Sequence, residues 1–263
     1  MTTIGKFICA LTMIVSFAAC TKNELKITGG TVVGDANAQA KIFFVSAYRA
    51  NPAYQININD VRVSNLLGGG TAAPTPFPGG GFNTGGSSTG DYIDVSSGSI
   101  KVSFVIPKYN TNTDSVTLAS SNVAFEAGKK YSLYVTDTAA STSYVLVEDS
   151  LVRTDSGFAK YKFVNLVPDG GAVDLYVGTV MVASNIAYKG VSPSFTLPTS
   201  NTSATWSIRA TGTTTTIGGT GYAGTVGNTI GNQRVYTVIA RGYKSITTIT
   251  DPRYAKISLI FNQ

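Results

Sequence analysis

Most of this chain is written twice. The run "AKIFFVSA" at Ala40 to Ala47 returns as "AKYKFVNL" at Ala159 to Leu166, 119 positions on. "VRVSNL" from Val61 is echoed by "MVASNI" from Met181. "KKYSLYV" from Lys129 is echoed by "QRVYTVIA" from Gln233, with Tyr131 opposite Tyr236. Order and rough spacing are kept between the copies. A unit repeated at this spacing is about 110 residues, enough to close a core of its own, so the expectation is two tandem domains, 38–150 and 151–263.

Both copies read as strands. In "YQININD", Tyr54, Ile56 and Ile58 alternate with Gln55, Asn57 and Asn59, the period of a strand with one wet face. In "AVDLYV", Val173, Leu175 and Val177 share a side, and in "RYAKISLIF" Ala255, Ile257, Leu259 and Phe261 do. Turn signals stand between them, among them "PDGG", "EAGKK" and "LPTSN". No stretch holds a helical period. Short alternating runs broken by regular turns predict an all-β chain built of antiparallel sandwiches.

The first twenty residues address a different question, since they hold both cysteines, Cys9 and Cys20. Lys6, an apolar run from Phe7 to Val15 and the small residues Ser16, Ala18 and Ala19 make up a secretory signal, 1–19. The run is shorter than the ~20 residues of a membrane-spanning helix. The ending "AAC" resembles a bacterial lipobox, with Phe17 in place of the usual aliphatic residue. That resemblance implies an acylated Cys20 as the lipidation site and first residue of the mature chain. Residues 20–37 then read as a flexible, lipidated tether, and the expected location is the cell envelope, as an outer-membrane lipoprotein facing the periplasm or the cell surface. The membrane is the partner of the anchor, held by about 0.8 kcal/mol per buried methylene.

The run "FAKYKFVNLVPDGGAVDLYVGTVMVASNIAYKGVSPSFTLP", with "WSIRATG" and "VYTVIARGY" after it, resembles domain of unknown function 4397, which occurs in tandem in lipoproteins of Gram-negative bacteria. The resemblance covers Gly157 to Tyr243, with a more divergent copy from Ala38 to Asp149. It implies two tandem immunoglobulin-like antiparallel β-sandwich domains and an envelope location. It brings no catalytic residues.

The first copy departs from the second at 68–90, "GGGTAAPTPFPGGGFNTGGSSTG", an insertion rich in glycine and proline. Loops of that length are functional or disordered. Phe77 and Phe82 within it are candidate ligand contacts, able to dock a partner or stack on a sugar ring.

Several chemistries fall away. The chain has no histidine, which removes Ser-His-Asp and Cys-His nucleophilic systems and imidazole metal sites. "GSSTG" around Ser88 fits a nucleophile elbow in spelling only, having no base beside it. "GTGYAG", with Gly219, Gly221 and Gly224, spells a dinucleotide fingerprint but leads into another strand rather than a helix, so it reads as a hairpin loop. The acidic pairs are Asp91 with Asp94, Glu148 with Asp149, and Asp169 with Asp174. Nothing fixes either separation that a glycosidase needs. "PDGGAVD" lacks the dense ligand set of a calcium loop, so Asp169 reads as a turn former bonding nearby backbone and Asp174 as a solvent-facing strand residue. The excess of 20 Lys and Arg over 14 Asp and Glu is scattered and gives no nucleic-acid surface. The expectation is a non-enzymatic envelope lipoprotein without cofactor or metal, acting as an adhesion, scaffold or ligand-binding module. Its expected partner is an extracellular glycan or an envelope protein. The alternatives are a glycan-capturing accessory of polysaccharide uptake and a structural subunit whose last strand, Tyr254 to Phe261, completes a neighbour's sheet.

Overall fold

The computed structural model describes residues 37–44, 55–63, 92–107, 114–136, 142–200, 203–219, 231–251 and 253–263. Residues 33–263 form one compact unit. The first half contributes β1 (Asn37–Phe44), β2 (Gln55–Ile58), β3 (Val61–Arg62), β4 (Ile93–Ser96), β5 (Gly98–Pro107), β6 (Asp114–Phe125), β7 (Lys130–Thr136) and β8 (Ser143–Glu148). The second contributes β9 (Phe158–Leu166), β10 (Val173–Val177), β11 (Val180–Ile186), β12 (Phe195–Pro198), β13 (Trp206–Ala210), β14 (Thr216–Ile217), β15 (Val235–Arg241) and β16 (Lys256–Phe261). No helix occurs among the described residues.

The duplication is explicit in the strand order. The first half forms the sheets β4-β1-β7-β8 and β3-β2-β5-β6; the second forms β12-β9-β15-β16 and β11-β10-β13-β14. Adding eight to every label turns one pair into the other. Each half is a β-sandwich, antiparallel except for one pair, β1 with β7 and its counterpart β9 with β15, which run parallel. A parallel pair needs a long crossover, and here each crossover carries five other strands of the same sandwich.

The registers correct the repeat by two residues. Ala40 pairs with Ile93 and Tyr131, whereas Tyr161 pairs with Phe195 and Tyr236. With Tyr131 opposite Tyr236, Ala40 therefore corresponds to Tyr161 and not to Ala159. Because side chains alternate with period two, a two-residue slip leaves every residue on its expected face. The aromatic residues differ accordingly. Tyr161 stacks on Tyr236 at 5.4 Å and Phe195 at 5.6 Å and meets Trp206 edge-on in the second core. In the first core, Ala40 leaves Tyr131 to pack against Phe125 instead.

The alternation of wet and dry faces fails in the central strands. β7 and β15 are buried almost throughout, polar Ser132 and Thr237 included. One face of β7 enters the core of Ile42, Phe104 and Leu133, and one face of β15 enters that of Phe163, Leu175 and Trp206. The other faces meet in a third cluster: Phe43, Tyr134, Val145 and Val147 from the first sandwich, Val164, Leu166, Ile239 and Ile260 from the second. The two sandwiches thus pack back to back through sheets β4-β1-β7-β8 and β12-β9-β15-β16. Strands covered on both sides read as continuous apolar runs. Asn57, expected on a wet face, is likewise buried beside its register partner Ser103.

Candidate functional site

The residues that sequence reading singled out for binding lie largely outside the described residues: Cys20 and its tether, the insertion 68–90 with Phe77, Phe82 and Ser88, and also Asp91, Gly221 and Gly224. The remaining candidates are structural. Asp169 accepts its own backbone amide, as a turn former does, and also the amides of Lys244 (2.7 Å) and Ser245 (2.8 Å) far along the chain. Asp174 is buried rather than solvent-facing and accepts from the Asn185 amide (2.7 Å), the Thr211 hydroxyl and the Gly212 amide. Burial raises both carboxyls, yet these donors together outweigh it and hold each below the ordinary value. Carboxylates saturated by N–H donors are poor cation ligands. Among the described residues no three His, Cys, Asp or Glu side chains gather as a metal site. Glu148 turns to Lys129 at 3.0 Å while its neighbour Asp149 turns inward, so the two carboxyls do not face one another. Gly219 pairs with the edge of β16.

Asn165, in the run "FVN", is fully buried and clamps three segments. Its Nδ2 donates to the Gly171 carbonyl (2.9 Å) and the Ile186 carbonyl (3.0 Å), and its Oδ1 accepts the Val167 amide (3.1 Å). Its backbone carbonyl accepts the Lys189 amide at 2.8 Å. This clamp fixes the loop between β11 and β12, in which Lys189 takes a left-handed φ of 66° and Gly190 sits where a Cβ would meet the Ala187 carbonyl at 2.7 Å.

The seam between the sandwiches has its own symmetry. Lys41 is buried and donates to the Phe261 carbonyl, while Lys162 donates to the Glu148 carbonyl at 2.7 Å. The register shift makes Lys41 the counterpart of Lys162. Tyr131 opposite Glu148 and Tyr236 opposite Phe261 make Glu148 the counterpart of Phe261. The contact is therefore reciprocal, i to j and j to i, as in a two-fold dimer. Next to it, Ser132 donates to Asp149 at 2.7 Å where the second copy has Asn262 donating to Thr237 at 2.8 Å. Tyr92 also donates to Asp149 at 2.9 Å. Burial raises the Asp149 carboxyl above the usual range, opposed but not overcome by those two hydroxyls and by Lys41 and Lys162.

The symmetry breaks at one edge. In the second sandwich the chain after β14 bonds across to β16, with the Gly219 amide on the Ala255 carbonyl (2.9 Å) and the Ile257 amide on the Gly219 carbonyl (3.2 Å). In the first, β6 and β8 are the corresponding edges, and between them lies a groove of about 510 Å³. Its floor is Val123, Leu133 and Leu146; its walls are Ser120, Ser121, Asn122, Thr142 and Ser143. Lys189, brought over from the second half, reaches the lip and donates to the Ser143 hydroxyl at 2.7 Å. Beside it the Tyr188 hydroxyl meets the Thr136 hydroxyl at 3.3 Å. The groove carried no motif in the sequence; the one signal was the run "AYKG", whose loop supplies its cation.

A family model described as a domain of unknown function, DUF4397, matches the chain twice, over residues 40–176 and 159–257. No curated protein matches it. Among the described residues no helix is long and apolar enough to cross a membrane.

Proposed function

The chain belongs to the DUF4397 family, and from that membership and the geometry above we propose that it is a non-enzymatic binding module displayed on the cell envelope. The observation that carries this reading is the open groove of the first sandwich, with an apolar floor, hydroxyl and amide walls and a cation at its lip. Pockets of a few hundred Å³ with few, placed polar groups are the usual form of a ligand site. The tandem arrangement supports it as well, because the second sandwich supplies Lys189 and packs against the first. The envelope location rests on the signal-like 1–19 and on Cys20 as its lipid anchor.

A second reading is capture of a glycan, favoured by the row of Ser120, Ser121, Asn122, Thr142 and Ser143 along the groove, a lining able to hydrogen-bond sugar hydroxyls. Assembly through the last strand is less favoured. Ile257 and Ile260 of β16 are fully buried in this chain, and the Ile257 amide is already bonded to the Gly219 carbonyl at the strand's edge. Two experiments test the proposal. Palmitate labelling that Cys20→Ala abolishes is expected for the anchor. For binding, the methyl signals of Leu146 and Leu133 are expected to shift when solubilised envelope polysaccharide or peptide fractions are added. Signals that stay fixed under every fraction would refute the groove as a ligand site.

A further inference from the structure

The difference between the two copies is one of backbone hydrogen bonds. In an antiparallel pair alternate residues exchange both groups with the neighbour and the rest turn them outward. The Asp149 amide bonds the Lys130 carbonyl at 2.8 Å. With Tyr131 opposite Glu148, the residues of β8 whose groups face away from β7 are then Tyr144, Leu146 and Glu148. The Asn262 amide on the Val235 carbonyl sets the same phase for β16, where Ile257 is an outward residue and the counterpart of Tyr144. In the second copy that outward amide is taken by the Gly219 carbonyl, in a parallel bridge to Lys256. In the first copy the Glu148 carbonyl is taken by Lys162, while among the described residues no group meets the outward backbone of Tyr144 or Leu146.

We propose that this edge accepts an extended peptide from a partner, paired to the outward backbone of Tyr144 and Leu146, with an apolar side chain on the groove floor and a carboxylate at Lys189. The inference rests on the groove being a binding site and names its ligand. The second sandwich shows what fills the equivalent position at Ile257: main chain, bridged to the edge strand through the amide and carbonyl of Gly219. Strand addition of this kind draws its affinity from main-chain bonds and its selectivity from pockets for alternate side chains. A sugar lacks the amide ladder, and the one aromatic of the groove offers it no platform. The Tyr144 hydroxyl donates inward to the Val102 carbonyl at 3.2 Å and its ring leans on Phe104. Lys189 supplies the charge preference, its position fixed by the clamp at Asn165 and the bond to Ser143.

The test uses the mature chain, ¹⁵N-labelled, and a blocked hexapeptide of alternating valine and threonine with one terminal glutamate; a lysine-ended twin and a linear glucose hexamer are the comparators. The acidic peptide is expected to slow amide exchange at Tyr144 and Leu146 by about tenfold or more at saturation. It is expected to bind about tenfold more tightly than its lysine twin, a preference lost in Lys189→Gln and kept in Lys189→Arg. Far-ultraviolet circular dichroism on heating shows that each variant is folded in both halves. If the glucose hexamer moves these resonances and the peptides do not, the groove remains a ligand site and the peptide inference falls. If nothing moves them, both fall. Slow exchange at Tyr144 and Leu146 in the free chain would mean that another segment of the chain already lies there, and overturns the proposal.

Discussion

Truncating Phe43 to alanine tests whether the two sandwiches form one cooperative body. Phe43 belongs to the first half, is 2% exposed and stacks on Tyr134 at 5.5 Å, in the cluster that also holds Val164, Leu166, Ile239 and Ile260 of the second half. On a free sandwich the same side chain would stand on the outer face of its sheet, where substitutions fall within about 0.5 kcal/mol. Buried as it is, removing the ring costs about 3–5 kcal/mol, the sum of lost transfer energy and the cavity left between the sheets. The only tryptophan, Trp206, is fully buried in the second core and shares no contact cluster with Phe43. Its fluorescence therefore reports the far sandwich alone. For a cooperative unit of this size the expected fall in its thermal midpoint is roughly 6–20 °C. A Trp206 transition within about 1 °C of the parent, with the first half destabilised by circular dichroism, would refute the shared core.

Asn165→Ala leaves the Gly171 and Ile186 carbonyls and the Val167 amide without a partner, and the expected cost is about 2–4 kcal/mol, read as a lower urea midpoint at unchanged slope. Asp149→Asn installs in the first copy the residue that the second already has at Asn262. The folded carboxyl of Asp149 titrates above its unfolded value, so its contribution to stability is complete below the unfolded value and declines as pH rises through the folded one. The melting temperature of the variant relative to the parent is therefore expected to increase from pH 4 to pH 7, and a flat difference would refute the burial cause. Gly218→Ala places a Cβ 2.6 Å from that of Ala255 at a left-handed φ of 64°. The expected result is loss of amide protection at Gly219 and Ile257 with Trp206 still buried, the second edge being forced open.

The duplication, the all-β class and most core positions were legible because each follows from local pattern. Val173, Leu175 and Val177 share a face and are buried as their alternation requires. What sequence pattern misjudged depends on pairing across the fold. Asp174 looks like any polar strand residue until the turns at Asn185 and Gly212 close over it. The continuous burial of β15 is visible in "VYTVIA", yet only a second sheet on its back explains it. The groove was invisible for a related reason: an open edge is a bond not made between β6 and β8, and no residue type encodes it. Lys189 reaches it from 46 residues beyond Ser143.

The asymmetry of the two edges can be measured without any ligand, by amide exchange of the free chain. Gly219 and Ile257 are expected to exchange as slowly as core amides such as Ile239, and Tyr144 and Leu146 faster by orders of magnitude, like groups facing water. Equal protection at the two edges would contradict it, leaving two closed sandwiches and no site to fill.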